Sequence, residues 1–229
     1  MSAYYLIVRE DRVEMLTDGA VYREDGTLID IQCKSLPVGD LPLAITGRGE
    51  MAALEAMEAA LRVVGASGSV DRVIAYLQAM LGDERRREQL GRYEHELILA
   101  GVSDAGTPFA MMYTTHAAYA DMHPFTLYDI GPEYGGGPAI DPAKLPFTPD
   151  DFVAAGNDAM RRFGADIVEA MRRQKAPNPA KPDLPEIYGI GGHCDLTTVT
   201  ADGVEIERLR TWPDQIGEKI EPAVAVLVN

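Results

Sequence analysis

The sequence of residues 2–49 is SAYYLIVREDRVEMLTDGAVYREDGTLIDIQCKSLPVGDLPLAITGRG. Short apolar and β-branched runs alternate in it with polar or glycine-containing turns such as Arg23-Glu24-Asp25-Gly26, a pattern typical of consecutive β-strands. The segment therefore predicts an antiparallel meander of four strands. The predicted strands span residues 4–8, 13–17, 28–34 and 41–46.

The first predicted hairpin brings a hydroxyl group close to a carboxylate. We expect Val8 to pair with Val13, because the polar residues between them form the loop of the hairpin. Counting outward from this pair places Ser2 opposite Gly19, and therefore beside Asp18.

The second predicted hairpin adds an ammonium group to the same place. Its turn is centred near Asp25, and counting outward sets Lys34 opposite Leu16 on the neighbouring strand. That position is close to Asp18 along the strand. The strand count therefore predicts that the side chains of Ser2, Asp18 and Lys34 converge.

Hydrophobic periodicity predicts two helices after this segment, and the charged residues 83–88 are interpreted as a solvated end of the second. The first helix has an apolar stripe of Leu54, Met57, Leu61 and Val64. The second helix begins near Ser69 and turns inward Val73, Leu77 and Leu81. Two further strands are predicted at residues 94–102 and 108–115, and an irregular segment then runs to residues 135–137.

A third helix is predicted from Thr148-Pro149-Asp150-Asp151, which supplies an N-cap, a proline at the first helical position and an acidic residue at N3. Its apolar residues are Phe152, Met160, Phe163, Ile167 and Met171. The last predicted strands span residues 195–200, 204–209 and 223–228. This order predicts an α+β fold, a four-layer αββα sandwich of two antiparallel sheets flanked by helices, as a single domain over residues 1–229.

The composition disfavours several classes of function. A formal net charge of -15, from 36 acidic and 21 basic residues, works against binding to nucleic acid and to anionic membrane surfaces. No apolar run approaches the roughly 20 residues that span a bilayer, and the N-terminus does not resemble a signal peptide, so we expect a cytoplasmic protein. Cys33 and Cys194 are expected to be buried free thiols.

The spacing of the converging residues resembles that of a known family. Asp18 follows Ser2 by sixteen residues and Lys34 follows it by thirty-two, and Gly47-Arg48-Gly49 comes directly before a predicted helix. The stretch from Gly191-Gly192 onward also looks like a late glycine-pair strand and hairpin of that family. The chain thus resembles the N-terminal-nucleophile hydrolases of the proteasome type, namely proteasome β-subunits and bacterial proteasome-like peptidases.

The resemblance implies a set of roles in amide-bond hydrolysis. Met1 is removed, and the hydroxyl of Ser2 is the nucleophile, with its own α-amine as the base. Lys34 favours deprotonation of its neighbours, Asp18 orients that lysine, and the backbone N–H of Gly47 binds the oxyanion.

The resemblance also implies the surroundings of the site. Val21 and Thr46 line the substrate pocket, and the substrate is a peptide or a small amide. No cofactor and no metal are expected. Family members enclose their sites in assemblies, so the expected partner is further copies of the chain in a homo-oligomer such as a ring.

The chain departs from the family pattern near the second glycine pair. Ile187 and Ile190 stand where an aspartate and a serine are usual, and residues 135–137, all glycine, stand where a further serine is usual. Two alternatives to the hydrolase therefore remain: a non-catalytic structural subunit of a proteasome-like ring, and a binding domain on the same fold.

Three other features have weaker chemical interpretations. His116, Asp121 and His123 do not share one face of a helix or a strand, so a metal site is not expected. His193 and Cys194 are adjacent in a strand, which points them to opposite faces, and both are expected in the core. The glycines at 135–137 lack the lysine of a phosphate-binding loop and are interpreted as a flexible loop.

Overall fold

The computed structural model of the protein describes residues 2–177 and 183–222. This part of the chain combines helices with three antiparallel sheets, so its fold is α+β. The strands are β1 (Tyr4–Val8), β2 (Arg12–Asp18), β3 (Ala20–Tyr22), β4 (Leu28–Ile31), β5 (Leu36–Pro37), β6 (Leu43–Gly49), β7 (His95–Val102), β8 (Pro108–Thr114), β9 (Tyr128–Asp129), β10 (Glu133–Gly136), β11 (His193–Thr200) and β12 (Gly203–Thr211). The helices are α1 (Met51–Gly65), α2 (Val70–Gly82), α3 (Glu84–Leu90), α4 (Pro149–Ala155) and α5 (Ala159–Arg172). The strand predicted at residues 223–228 lies outside the described residues.

The first sheet has the strand order β10-β1-β2-β11-β12 and contains the predicted first hairpin. Val8 pairs with Val13 and Tyr4 pairs with Thr17, so the predicted register is confirmed. Beyond the last pair, the N–H of Asp18 donates to the carbonyl of Ala3 at 3.3 Å. The hairpin therefore holds the start of the chain against the end of β2.

The predicted four-stranded meander is wrong. Strands β3 and β4 form a separate two-stranded sheet, and β6 belongs to a third sheet of order β5-β6-β7-β8-β9. Leu16 pairs with Tyr5 and Leu196, so the predicted pairing of Lys34 with Leu16 does not occur. The physical reason is that β11 occupies the edge of β2 where the second hairpin was expected.

The two predicted helices after β6 are confirmed and cover one face of the third sheet. The hydroxyl of Ser69 caps α2 by accepting from the N–H of Arg72. Buried residues of both helices pack with buried residues of β6, β7 and β8, namely Leu54, Met57, Leu61, Val73 and Leu77 with Leu43, Ile45, Leu97, Leu99 and Tyr113. Each buried leucine in such a cluster contributes about 1.5–3 kcal/mol relative to exposure. Helix α3, which the charged residues 83–88 did not predict, has no buried residue.

Two more apolar clusters lie on either face of the first sheet. One joins it to the third sheet through residues that include Leu6, Met15, Ile98, Ala100 and Met112. The other joins it to α5 through residues that include Leu16, Leu196, Met160, Ile167 and Val168. The core of the described chain is therefore divided among helix–sheet and sheet–sheet contacts.

The helix predicted from Thr148 has the predicted start and an unpredicted interruption. Thr148 and Asp151 form a capping box, and Pro149 occupies the first turn. The helix ends at Ala155, because Gly156 adopts a φ of 55°, and α5 begins at Ala159.

The interpretation of residues 135–137 as a flexible loop is wrong for Gly135 and Gly136. Both lie in β10, which pairs with β1, and Gly136 stands opposite Tyr4. A Cβ atom on Gly136 would overlap the ring of Tyr4, so the close approach of that ring accounts for glycine here.

Among the helices of residues 2–177 and 183–222, none has the length and apolar character needed to cross a membrane.

Candidate active site

Lys34 joins the hydroxyl of Ser2 to the carboxylate of Asp18. Its Nζ donates to Ser2 Oγ at 2.9 Å and to Asp18 Oδ1 at 2.9 Å. Lys34 is 3% exposed and Asp18 is completely buried, whereas Ser2 is half-buried. The structure thus brings together the three residues that the strand count predicted to converge.

Three backbone N–H groups fix the carboxylate of Asp18. Oδ1 accepts from Ala3 at 3.0 Å, and Oδ2 accepts from Ala20 at 3.1 Å and from Gly191 at 3.2 Å. Together with Lys34 these donors satisfy a buried charge that would otherwise be costly. Asp18 therefore has little freedom to move away from Lys34.

Lys34 reaches the site from irregular backbone between β4 and β5, and not from a strand beside β2. The N–H of Gln32 donates to the carbonyl of Gly19 at 3.0 Å, which holds this segment next to the end of β2. The prediction of convergence was therefore right although the pairing that it assumed was wrong.

Burial lowers the pKa of Lys34 below its ordinary value of 10.5, and the charge and hydrogen bond of Asp18 oppose that shift. An ammonium group in hydrogen-bond contact with Ser2 Oγ stabilises negative charge on that oxygen. The arrangement can therefore favour the deprotonated, nucleophilic form of the hydroxyl.

Ser2 and Lys34 open into a cleft of about 870 Å³, which Val21 and Gly47 also line. Thr46, the other predicted pocket residue, is 1% exposed and is not among the residues that line this cleft. Exposed residues of both charge signs also line the cleft, namely Arg23, Glu24, Asp25, Glu50, Arg92 and Glu94.

Gly47 lies inside β6, which continues to Gly49, whereas the sequence predicted that the strand ends at Thr46 and that residues 47–49 connect it to the helix. It stands opposite Leu97 in β7, and a Cβ atom on it would overlap the carbonyl oxygen of Glu96. This close approach of two backbones accounts for the glycine.

A second polar cluster beside the cleft was missed by the sequence reasoning. Arg48 donates to both carboxylate oxygens of Glu96, at 2.7 and 3.0 Å, and the hydroxyl of Tyr119 donates to the same carboxylate at 2.6 Å. His116 Nε2 lies 3.5 Å from Glu96 Oε1. The signal for this cluster was a lone carboxylate directly before the apolar run of residues 97–102, because a buried charge requires partners.

The partners of Glu96 set its protonation state. Burial by itself would raise the pKa of Glu96, but hydrogen bonds from His116 and Arg48 and the charge of Arg48 lower it to about 2. The carboxylate is therefore ionised at neutral pH. Burial lowers the pKa of Arg48, but the neighbouring Tyr4 and Glu96 outweigh that effect and raise it.

The remaining candidates from the sequence lie outside the site. His193 and Cys194 are buried, as predicted, and His193 Nε2 lies 3.0 Å from Asp195. Both cysteines are free, and Cys194 is buried while Cys33 is only half-buried. Within the described ranges no group of three or more metal-ligating side chains occurs.

The sequence matches no protein-family model, and a comparison with curated proteins gives no match either.

Proposed function

We propose that the protein is an N-terminal-nucleophile hydrolase of the proteasome type, which cleaves the amide bond of a peptide or small amide through Ser2 after removal of Met1. The observation that carries the proposal is the position of Lys34 Nζ, 2.9 Å from both Ser2 Oγ and Asp18 Oδ1. A buried ammonium that bridges a hydroxyl and a fixed carboxylate is well suited to activate that hydroxyl.

In this mechanism the free α-amine of Ser2 removes the proton from its own Oγ. Such an amine titrates near pH 7.7–8.0, so a substantial fraction is unprotonated at neutral pH. Oγ attacks the substrate carbonyl carbon, the C–N bond breaks, and the amine product leaves with that proton. Water then hydrolyses the acyl ester and regenerates Ser2.

The developing oxyanion requires a hydrogen-bond donor within the cleft. Gly47 lines the same cleft as Ser2, and we propose its backbone N–H for this role. Such a donor contributes about 2.7–4 kcal/mol in other acyl-transfer enzymes. Val21 lines the cleft and remains a proposed pocket residue, whereas Thr46 is buried and does not line the cleft.

The architecture that accompanies this function is the four-layer αββα sandwich. Its support is the order of the apolar clusters: α1 and α2 with the third sheet, the third sheet with the first, and the first sheet with α5. Proteins of this type enclose their sites in assemblies, so we also propose a cytoplasmic homo-oligomer.

The second candidate function is a non-catalytic subunit of a proteasome-like ring. The observation that favours it is the environment of Ile190, which is 1% exposed and packs in the apolar cluster of α5, where the family usually has a serine. An isoleucine side chain cannot donate to or accept from the nucleophile. The two candidates differ in one property, the reactivity of Ser2.

A β-lactone or an epoxyketone, which acylate or alkylate N-terminal nucleophiles, tests the proposal on the intact protein. The hydrolase predicts one covalent adduct on Ser2, located by peptide mapping. The Ser2→Ala variant is the matched control, because alanine also permits removal of Met1 but has no hydroxyl. A ring subunit without activity predicts that neither protein gains an adduct.

A further inference from the structure

The turn at Gly191 and Gly192 connects the site to a buried ion pair. The N–H of Gly191 donates to Asp18 Oδ2 at 3.2 Å, and its carbonyl accepts from the N–H of Gly19 at 3.0 Å. The carboxylate that holds Lys34 thus has its own position fixed partly by this turn.

The ion pair of Arg172 and Asp214 holds the turn. Arg172 Nη1 and Nη2 donate to the two oxygens of Asp214 at 2.8 and 2.6 Å, and Nη1 also donates to the carbonyl of Ile190 at 2.8 Å. Asp214 Oδ2 accepts from the N–H of Gly192 at 2.7 Å. The ion pair therefore binds the backbone on both sides of Gly191, at Ile190 and at Gly192. We call the pair of Arg172 and Asp214 the clamp.

The clamp is buried and closely packed. The side chains of Arg172 and Asp214 are 4% and 6% exposed, and their bidentate contact uses the planar fork of the guanidinium. The guanidinium also lies 5.1 Å from the centre of the Trp212 ring. A Cβ atom on Gly191 would lie 2.5 Å from Asp214 and 2.6 Å from Arg172, so only glycine fits.

We propose that Arg172 and Asp214 are positioning residues for Ser2, acting through Gly191, Asp18 and Lys34. This inference rests on the proposed function. At residue 190 the side chain is apolar, but the backbone carbonyl of the same residue is bound by Arg172. Ile187 and Ile190 have no polar side chain that could hold this backbone, and the clamp, contributed by the end of α5 and by the segment after β12, holds it instead.

The test compares Arg172→Met with two control variants. Arg210→Met is the chemical control, because Arg210 also binds α5, through Asp166 Oδ1 at 2.8 Å and the carbonyl of Ala165 at 3.3 Å. Leu77→Ala is the stability control, since Leu77 is buried in the cluster of α1 and α2. All variants are assayed at a temperature where circular dichroism shows them folded.

Two quantities are measured: the rate of Ser2 acylation by a β-lactone, and the hydrogen-exchange rate of the Gly191 amide relative to amides of β7. For Arg172→Met we expect acylation to fall about 100-fold. We expect relative exchange at Gly191 to rise about 10-fold. Arg210→Met should leave both quantities within about 3-fold of the wild type, because Arg210 does not contact the turn. Leu77→Ala should leave acylation within the same range and should not raise the relative exchange at Gly191, because Leu77 packs against β7 and its loss can only speed exchange of the reference amides.

Asp214→Asn provides a milder variant if Arg172→Met does not fold. The amide oxygen keeps one acceptor for the clamp, so an intermediate loss of acylation and an intermediate gain in exchange support the proposal. Unchanged exchange at Gly191, with acylation that follows the melting temperature in all variants, overturns it. If the wild type is not acylated but Arg172→Met accelerates exchange at Gly191, the hydrolase fails while the positioning of Asp18 by the clamp stands.

Discussion

Lys34 is the residue whose chemistry the proposed mechanism needs most. Lys34→Met keeps a long apolar side chain and removes the ammonium, so Ser2 loses its activating contact. We expect acylation by a β-lactone to fall about 100-fold or more. The unfolding free energy should also fall by about 3 kcal/mol, because Asp18 stays buried without its countercharge.

Labelling kinetics and urea denaturation measure these two effects. Lys144→Met is the matched control: it makes the same change in charge at a side chain that is 80% exposed. A Lys34→Met protein that reacts at the wild-type rate would remove Lys34 from the mechanism.

Ionised Glu96 stabilises the folded protein, so we expect the free energy of unfolding to fall in acid as this carboxylate is protonated. Its folded-state pKa of about 2 lies below the ordinary 4.5, so the folded protein binds fewer protons than the unfolded chain between these values. This stabilisation is complete above pH 4.5 and disappears as the pH falls through 2. It corresponds to about 3 kcal/mol, since each pH unit is worth about 1.4 kcal/mol.

Glu96→Gln should make the free energy of unfolding less dependent on pH between about 2 and 4.5, because glutamine does not titrate. The groups that face residue 96 are Arg48, His116, Tyr119 and Tyr4, and the substitution leaves all four in place. Unfolding free energies between pH 2 and 6 measure the difference between the two proteins. Parallel curves for wild type and variant would show that Glu96 is not the group responsible.

At the scale of single elements, the contact between β6 and β7 depends on Gly47. In Gly47→Ala the new methyl group would overlap the carbonyl of Glu96 and lie 3.0 Å from Leu54, so the strands must separate. We expect a destabilisation of about 3 kcal/mol.

Gly82→Ala is the matched control for that substitution, because no atom lies within 4 Å of a Cβ built there. It should leave the protein unchanged or stabilise it by about 0.4–1 kcal/mol. Thermal unfolding of both variants is the measurement. Equal melting temperatures would contradict the close approach at Gly47.

Local signals in the sequence predicted the elements well. The pairing of Val8 with Val13 follows from a short loop, and the capping box at Thr148 follows from adjacent residues. The stripe of α2 and its cap at Ser69 are equally local. These features depend on contacts between residues close in the chain, which a pattern of residue types can express.

Contacts between distant residues were not predictable in this way. That β11 lies beside β2 and displaces the second hairpin depends on residues about 180 positions apart. The strand at Gly136 exists because the ring of Tyr4 fits against it. The site shows the same division: Ser2, Asp18 and Lys34 were predicted, whereas the cluster of Arg48 and Glu96 requires the third sheet to be assembled.

At the scale of the whole molecule, the proposed assembly makes a prediction about mass. A ring or another homo-oligomer should sediment as a multiple of the 24.9 kDa chain, and the distribution should move toward larger species with concentration. Analytical ultracentrifugation over a series of concentrations is the measurement. A species of single-chain mass throughout the series would contradict both the enclosed hydrolase and the ring subunit, and would favour a binding domain.

The intact mass of the protein after treatment with a β-lactone tests the role of Ser2 most directly. The hydrolase predicts a chain without Met1 that carries one adduct, mapped to Ser2 and absent from Ser2→Ala. A chain that retains Met1 and gains no adduct would contradict the proposal, because neither the free α-amine nor the reactive hydroxyl would then exist.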